Sequence, residues 1–180
     1  VISQATASKP DSLKDLPASK VQNLSEIKSQ NKDRLSTGLS ELDRTLGGGL
    51  VDGSVVLIGG DPGIGKSTLI LQALATLNKA NTTLYVSGEE SAEQVSERAV
   101  RLDIKEDVLF IGETHLEKIL KLSKDVQPKV IVIDSIQTMV TDLSTSAPGS
   151  VTQVRDCAAQ LTQYAKQTNT ILLMIGHVTK

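Results

Sequence analysis

The segment of this chain with the clearest meaning reads Gly60-Asp61-Pro62-Gly63-Ile64-Gly65-Lys66-Ser67-Thr68. It matches the P-loop pattern G-x-x-x-x-G-K-[ST], in which glycines let backbone amides turn inward around phosphate groups. Residues 69–77 follow as a helical run and add the positive end of a helix dipole. Lys66 places a charge between the β- and γ-phosphates, and Ser67 supplies an oxygen ligand for Mg²⁺. The segment therefore predicts a binding site for a nucleoside triphosphate with magnesium.

The rest of the chain alternates short apolar runs with longer helical patterns, which is typical of a parallel sheet covered by crossover helices. The predicted strands are residues 55–59, 83–87, 108–111, 130–133 and 171–175. A short helix is predicted before them, because leucines recur at helical spacing from Leu39 to Leu46 and glycines follow. Ligands of such sheets bind outside the carboxyl ends of the strands, so each of these ends is a candidate site.

Three helix starts carry the pattern of a capping box, in which a Ser or Thr side chain and a Gln or Glu side chain three residues later satisfy free backbone amides. The pairs are Ser91 with Gln94, Thr114 with Glu117, and Ser150 with Gln153. Each pair predicts where a crossover helix begins.

Asp134 stands at the carboxyl end of the buried run at residues 130–133. An acid at this place downstream of a P-loop is typical of the Walker B aspartate, which holds the water shell of Mg²⁺. The next residue is Ser135, where many P-loop ATPases carry the glutamate that activates water. A general base is therefore expected elsewhere in the chain.

Glu89 and Glu90 follow the predicted strand at residues 83–87 and precede the helix capped by Ser91. A carboxylate there faces the γ-phosphate if this strand neighbours the P-loop strand, as sequential strands often do. Glu89 comes first after the strand and is the predicted catalytic base. The alternative for both acids is a favourable interaction with the helix N-terminus, which fits Glu90 better.

His177 follows the last strand, where it is positioned to read the γ-phosphate or to be a hydrogen-bonded surface residue. Residues 138–151 form a long connection rich in Thr, Ser and Asp, and long loops at this edge of a sheet are often functional. Arg155 is the first cation after this loop, available for a phosphate or for a neighbouring acid.

Length and composition limit the kinds of protein that this chain can be. The chain has 180 residues, 39% of them hydrophobic, and a net charge of −2, so DNA binding has to rest on a local surface. One cysteine excludes an intrachain disulfide and suits a cytoplasmic protein, and no membrane span is predicted.

Residues 1–34 read as a largely flexible linker with one short element at residues 21–27, and residues 35–180 as the ATPase core. The chain opens on Val1 and stops at Lys180, which predicts a piece truncated on the C-terminal side of the core.

Six motifs in order resemble the bacterial RadA (Sms) DNA-repair proteins, a branch of the RecA-like ATPases. They are L-S-T-G-L-S-E-L-D-R-T-L-G-G-G-L-V-D-G-S, G-G-D-P-G-I-G-K-S-T, Y-V-S-G-E-E-S, I-D-S-I-Q-T-M, S-A-P-G-S-V-T-Q-V-R and G-H-V-T-K. The resemblance implies a RecA-like P-loop NTPase fold, with a mostly parallel twisted sheet and helices on both faces. It implies Lys66 and Ser67 as P-loop residues and Asp134 as the Walker B acid. It implies Glu89 as the catalytic carboxylate and His177 as the γ-phosphate sensor.

The same resemblance implies an ATP- and Mg²⁺-dependent motor that binds single-stranded DNA through the loop at residues 138–151 and processes branched recombination intermediates. Its expected partners are ATP and ADP, DNA, a RecA-type recombinase and copies of itself in a ring, a hexamer in the full-length protein. A zinc finger before Val1, and a Lys-Asn-Arg-Phe-Gly motif with a Lon-like domain after Lys180, belong to that family. The alternative is a RecA-like regulatory ATPase of the circadian-clock or signalling kind, without a DNA substrate.

Overall fold

The computed structural model of the chain describes residues 23–26 and 33–177. Its strands are β1 Val55–Gly60, β2 Thr83–Ser87, β3 Leu109–Gly112, β4 Val130–Asp134 and β5 Ile171–His177. Its helices are α1 Ser40–Thr45, α2 Lys66–Asn78, α3 Ala92–Arg101, α4 Leu116–Val126 and α5 Val151–Thr168. Short 3-10 turns cover Leu24–Glu26 and Ile136–Thr138. All five predicted strands are present, within two residues of the expected bounds.

The five strands form one parallel sheet in the order β1-β5-β4-β2-β3. This confirms the predicted α/β, RecA-like class. The expectation that β2 lies beside the P-loop strand is wrong, because β5 and β4 lie between them. Every residue of β2 and β4 and nearly every residue of β5 is buried, whereas the residues of β1 and β3 are partly buried or exposed. The three buried strands take the central positions of the sheet, where helices cover both faces.

Alternate side chains of the strands pack against helices on the two faces of the sheet. The α2/α3 layer contains Tyr85, Val132 and Leu173 together with Ile70 and Val95 from the helices. The α4/α5 layer contains strand residues of the opposite parity with side chains of α4 and α5, among them Leu84, Ile133, Leu172, Ile119 and Leu161. The period of two along each strand divides the apolar side chains between two cores, so helices cover both faces as predicted.

The capping predictions hold at α3 and in part at α5. Ser91 accepts from the amide of Gln94, and the Gln94 side chain returns to the Ser91 amide, which completes a capping box. Ser150 accepts from the amide of Gln153 at 3.3 Å, but the Gln153 side chain turns to the carbonyl of Thr141 instead. Both helices therefore begin where the sequence places them.

The predicted box of Thr114 with Glu117 is wrong. Helix α4 begins after His115, which makes no side-chain capping bond. The Glu113 carboxylate accepts from the amides of Thr114 and His115 at 2.9 and 3.0 Å, and Glu117 accepts from the hydroxyl of Thr141 at 2.6 Å. Glu113 thus binds the amide of Thr114 itself, and Glu117 is held by the loop that follows β4.

The N-terminal residues are described only in part. Residues 24–26 form one 3-10 turn inside the short element predicted at 21–27. Most of the predicted linker lies outside the described residues, so its flexibility and the boundary near residue 34 stay predictions. Helix α1 ends at Thr45 and is followed by Gly47, Gly48 and Gly49 at positive φ, as the glycine stop predicts.

Candidate nucleotide-binding site

The P-loop connects β1 to α2 in the strand-loop-helix order that its motif requires. Gly63 and Gly65 have φ values of 81° and 95°, a region that favours glycine, and a side chain there would meet no atom within 4 Å. The backbone conformation, and not a lack of space, therefore calls for glycine at both positions. Lys66 is buried at the first turn of α2, where its Nζ donates to the carbonyls of Gly60 and Asp61 at 2.9 and 2.7 Å.

The register of the sheet brings the other predicted groups to the same edge. Gly60 pairs with His177 across β1 and β5, and Ser87 pairs with Asp134 across β2 and β4. Glu89 lies two residues beyond Ser87. Because all strands are parallel, the carboxyl ends point the same way, and these residues meet although their strands are far apart in the chain.

One cleft of about 420 Å³ contains the predicted nucleotide site. Its lining includes Pro62, Gly63, Gly65, Lys66, Ser67 and Thr68 of the P-loop, together with Glu89, Asp134 and His177. Of the predicted residues, Gly60 and Asp61 take part through their carbonyls on Lys66. Ile64 lies outside the lining and is 64% exposed. Glu90, Arg98 and Arg101 complete the wall.

Glu89 lies in the cleft within a chain of polar contacts. The hydroxyl of Ser135 donates to its Oε1, and His177 Nε2 lies 3.2 Å from Oε1 and 3.4 Å from Oε2. The Nδ1 of His177 lies 3.4 Å from the Nζ of Lys66. An ammonium group only donates, so Nδ1 is the acceptor and the ring proton sits on Nε2, facing Glu89. This row of polar contacts connects the P-loop to the predicted base and consists of Lys66, His177, Glu89 and Ser135.

Glu90 has a different environment from Glu89. Its Oε1 accepts from Nη2 of Arg98 on α3, and the two side chains are 28% and 14% exposed. The second oxygen of Glu90 and Nη1 of Arg98 are buried without partners among the described residues. The prediction for Glu90, a favourable interaction with the helix N-terminus, missed this ion pair. The ion pair with Arg98 thus holds Glu90 in the wall of the cleft.

Asp134 is 3% exposed and lies at the end of β4, in the lining that also contains Ser67. The hydroxyl of Tyr85 donates to its Oδ2. Burial and the negative charge of Asp134 raise the pKa of Tyr85 far above its usual range, so the phenol keeps its proton. A carboxylate and a hydroxyl are oxygen donors of the kind that Mg²⁺ prefers. These two groups fit magnesium, which Ser67 and Asp134 would hold.

The loop after β4 is anchored at its base. The amide of Val140 donates to the carbonyl of Thr114, and the hydroxyl of the buried Thr141 contacts both Glu117 and Gln160. The apolar side chain of Leu143 is largely exposed beyond this base. The loop is therefore anchored where it begins, and Leu143 beyond this base lies on the surface.

Arg155 lies on α5 with its side chain 75% exposed. Its Nη2 is 3.7 Å from a carboxylate oxygen of Asp156, so the neighbouring acid of the two predicted partners is present as a weak contact. Arg155 is not in the lining of the nucleotide cleft. Contact of Arg155 with a phosphate stays a prediction, and it would occur on a surface outside the nucleotide cleft. Residues 178–180, the end of the last predicted motif, lie outside the described residues.

Sequence reasoning missed three side chains of the site. Neither Tyr85 nor Arg98 lies in a motif that marks it as a site residue, and Ser135 stands out only because many P-loop ATPases have a glutamate at that position. The best available signal is for Tyr85, which shares a sheet face with Asp134 and stands diagonally across from it, within reach of an aromatic side chain. That signal needs the pairing of β2 with β4, which motifs alone do not provide.

Within the described part of the chain, no helix combines the length and the apolar character needed to cross a membrane.

The chain is similar in sequence to curated bacterial proteins. "DNA repair protein RadA" of Pseudomonas aeruginosa is 56% identical over 158 residues, which cover 87% of this chain and 35% of that protein. The proteins of the same name from Haemophilus influenzae and Escherichia coli are 54% and 52% identical over 162 residues, each covering 89% of the chain and 35% of the relative.

The chain thus spans about a third of the length of the curated relatives it matches, at 35%. A family model described as "Family of unknown function (DUF7125)" matches residues 34–174, from the start of the core into β5. By this match the chain belongs to the family DUF7125, and it is similar to one segment of the bacterial DNA repair protein RadA.

Proposed function

We propose that this chain binds ATP with Mg²⁺ and hydrolyses it. The observation that supports this best is the meeting of the P-loop, Glu89, Asp134 and His177 in one cleft at the carboxyl edge of the sheet. These residues come from four strand ends that are separated by up to 117 positions, from Gly60 to His177. A glycine turn or a helix cap would not bring them together.

The side chains divide the work of hydrolysis. The amides of the P-loop and Lys66 bind the phosphates, which requires Lys66 to exchange its carbonyl contacts for phosphate oxygens. Glu89 accepts the proton of the attacking water, and its hydrogen bond from Ser135 fixes the direction of the carboxylate. His177 contacts both Lys66 and Glu89, so in this proposal it also contacts the γ-phosphate. Ser67 and Asp134 would hold magnesium, which supplies neutralisation of the phosphate charge when bound.

We further propose a role in DNA repair. Support comes from relatives named DNA repair protein RadA and from the exposed side chains of Leu143 in the loop after β4 and of Val151 at its end. In this proposal the loop at residues 138–151 and Arg155 bind single-stranded DNA, and ATP turnover drives the processing of branched recombination intermediates in the cytoplasm. Assembly into a hexameric ring and contact with a RecA-type recombinase belong to the same proposal.

Lys66→Ala tests the nucleotide site. Loss of a charge-assisted contact worth about 1.5–3 kcal/mol should weaken ATP binding about tenfold or more, measured by calorimetric titration with a slowly hydrolysed analogue. Lys79→Ala is the matched control, because Lys79 also belongs to the α2 region but pairs with Glu106 on the surface. Unchanged ATP affinity in folded Lys66→Ala protein would exclude the P-loop assignment.

Single-stranded DNA tests the repair assignment separately. The proposal expects DNA to raise the rate of phosphate release from ATP. A regulatory ATPase with the same cleft would hydrolyse ATP at a rate that DNA leaves unchanged, and this outcome would favour the alternative.

A further inference from the structure

Tyr85 has a polar contact that its packing does not require. The residue lies in the middle of β2, is fully buried, and stacks on Phe110 with ring centroids 6.3 Å apart. A phenylalanine ring would fill the same space. The hydroxyl nevertheless reaches across to the next strand and donates to Oδ2 of Asp134. A second role for Tyr85, beyond the core, follows from this bond.

Asp134 depends on this bond more than an exposed acid would. Its side chain is 3% exposed, and a buried carboxylate without a hydrogen-bond donor is costly. Among the described residues, the Tyr85 hydroxyl is the donor to its carboxylate, while Oδ1 accepts no hydrogen bond from them. One oxygen is therefore held by the protein, and the other remains for a ligand in the cleft.

The chemistry of the two groups makes Tyr85 the donor. A carboxylate only accepts hydrogen bonds, whereas a phenol can donate one. Arg98 lines the same cleft, but its Nη2 donates to Glu90. The hydrogen bond to Asp134 therefore comes from the Tyr85 phenol.

We propose that Tyr85 is a positioning residue for magnesium: its hydroxyl holds Oδ2 of Asp134 and thereby presents Oδ1 to the metal bound with the nucleotide. The inference rests on the proposed Mg²⁺-ATP site and extends it by one layer. Groups that orient a metal ligand from behind typically change metal affinity or activity by about 10–100-fold when they are removed.

Tyr85→Phe removes the hydroxyl and keeps the ring. Nucleotide affinity is measured by calorimetric titration with a slowly hydrolysed ATP analogue, once over a series of Mg²⁺ concentrations and once in EDTA. We expect the Mg²⁺ concentration for half-maximal binding to rise about 10–100-fold, with the affinity in EDTA unchanged. Tyr164→Phe is the matched control, because Tyr164 packs on α5 in the layer on the opposite face, and its Mg²⁺ dependence should equal that of the wild type.

A second readout does not need the Tyr85→Phe protein to fold. The chain has two tyrosines and no tryptophan, so Tyr85 is the sole emitting residue of that kind in Tyr164→Phe. The Tyr85 phenol is hydrogen-bonded to the Asp134 carboxylate, and the surroundings of this carboxylate change when Mg²⁺ binds. Tyrosine emission of Tyr164→Phe should therefore follow the same Mg²⁺ titration as calorimetry when nucleotide is present. In a Lys66→Ala background the response should need a higher nucleotide concentration.

The outcomes separate the two proposals. A Mg²⁺ dependence of folded Tyr85→Phe within twofold of the wild type would overturn the role of Tyr85 while the Mg²⁺-ATP site stands. If Tyr85→Phe does not fold, the emission of Tyr85 in Tyr164→Phe decides instead. An emission that does not change with Mg²⁺ would also overturn the role of Tyr85. Absence of Mg²⁺-dependent nucleotide binding in the wild type would overturn the proposed function itself, and this inference with it.

Discussion

Substitution of the two acids after β2 by glutamine separates their roles. Glu89→Gln preserves the size of a side chain that is 36% exposed and contacts Ser135 and His177. Because the residue is partly exposed and its neighbours keep hydrogen-bonding partners, the stability cost should be within about 0.5 kcal/mol. The amide cannot accept the proton of the attacking water, so hydrolysis should fall by roughly 10²–10⁴-fold, the usual contribution of a general base.

Glu90→Gln should act on stability instead. The Glu90 and Arg98 side chains are 28% and 14% exposed, between a buried pair, whose disruption costs about 3–5 kcal/mol, and a surface pair worth about 0–1 kcal/mol. An intermediate cost of about 1–3 kcal/mol follows, since glutamine still accepts one bond from Arg98. For a chain of this size each kcal/mol lowers Tm by roughly 2–4 °C, so Glu90→Gln should melt roughly 2–12 °C lower.

Two measurements on each variant decide the matter. Phosphate release at saturating Mg²⁺-ATP is expressed as the ratio of variant to wild-type rate in the same form of the protein, and Tm is followed by circular dichroism. We expect Glu89→Gln to lose rate but not Tm, with ATP affinity near that of the wild type. Glu90→Gln should lose Tm and clearly less rate at a temperature where it is folded. The reverse ranking of rates would refute Glu89 as the base and move the role to Glu90.

Three further predictions concern the rest of the chain. Arg155→Ala should weaken single-stranded DNA binding in the presence of nucleotide and reduce its salt slope by about 0.7; crosslinks confined to residues before Arg34, with or without ATP, would contradict this. Burial raises the pKa of Cys157 to about 11, so a thiol reagent at pH 8 should react far more slowly with native than with unfolded protein. For Asp43, burial alone would raise the pKa, but hydrogen bonds from Ser36 and Thr37 lower it below 3.8. Its stabilising effect is thus present at neutral pH and lost on acidification, so the Tm cost of Asp43→Asn should shrink below pH about 4.

The sequence predicted most elements of this fold because each leaves a local signal. The P-loop identifies β1 and the start of α2, the apolar runs identify β4 and β5, and Ser91 marks α3. The order of strands has no such signal. Proximity in the chain suggested β2 beside β1, whereas burial along whole strands puts β4 and β5 in the centre. Strand order depends on which strands can be covered on both faces, and this is a property of the whole sheet.

The same distinction applies to the site. The location of Asp134, Glu89 and His177 in one cleft could be predicted, because the carboxyl ends of parallel strands lie at the same edge of a sheet whichever strands are neighbours. Contacts between them depend on register. The bond of Tyr85 to Asp134 exists only because Ser87 pairs with Asp134, which sets Tyr85 two residues back on the same face.

The position of β4 between β2 and β5 also gives two neighbouring acids the different environments that their proposed roles need. Asp134 lies below the rim of the cleft, 3% exposed, with one oxygen held by Tyr85. Glu89 lies two residues beyond the paired end of β2, 36% exposed, with donors from Ser135 and His177. A base must reach water, and a metal ligand must be fixed in direction, so the two environments suit different tasks. Had β2 paired with β1, Ser87 would not lie beside Asp134, and neither the Tyr85 nor the Ser135 contact could form.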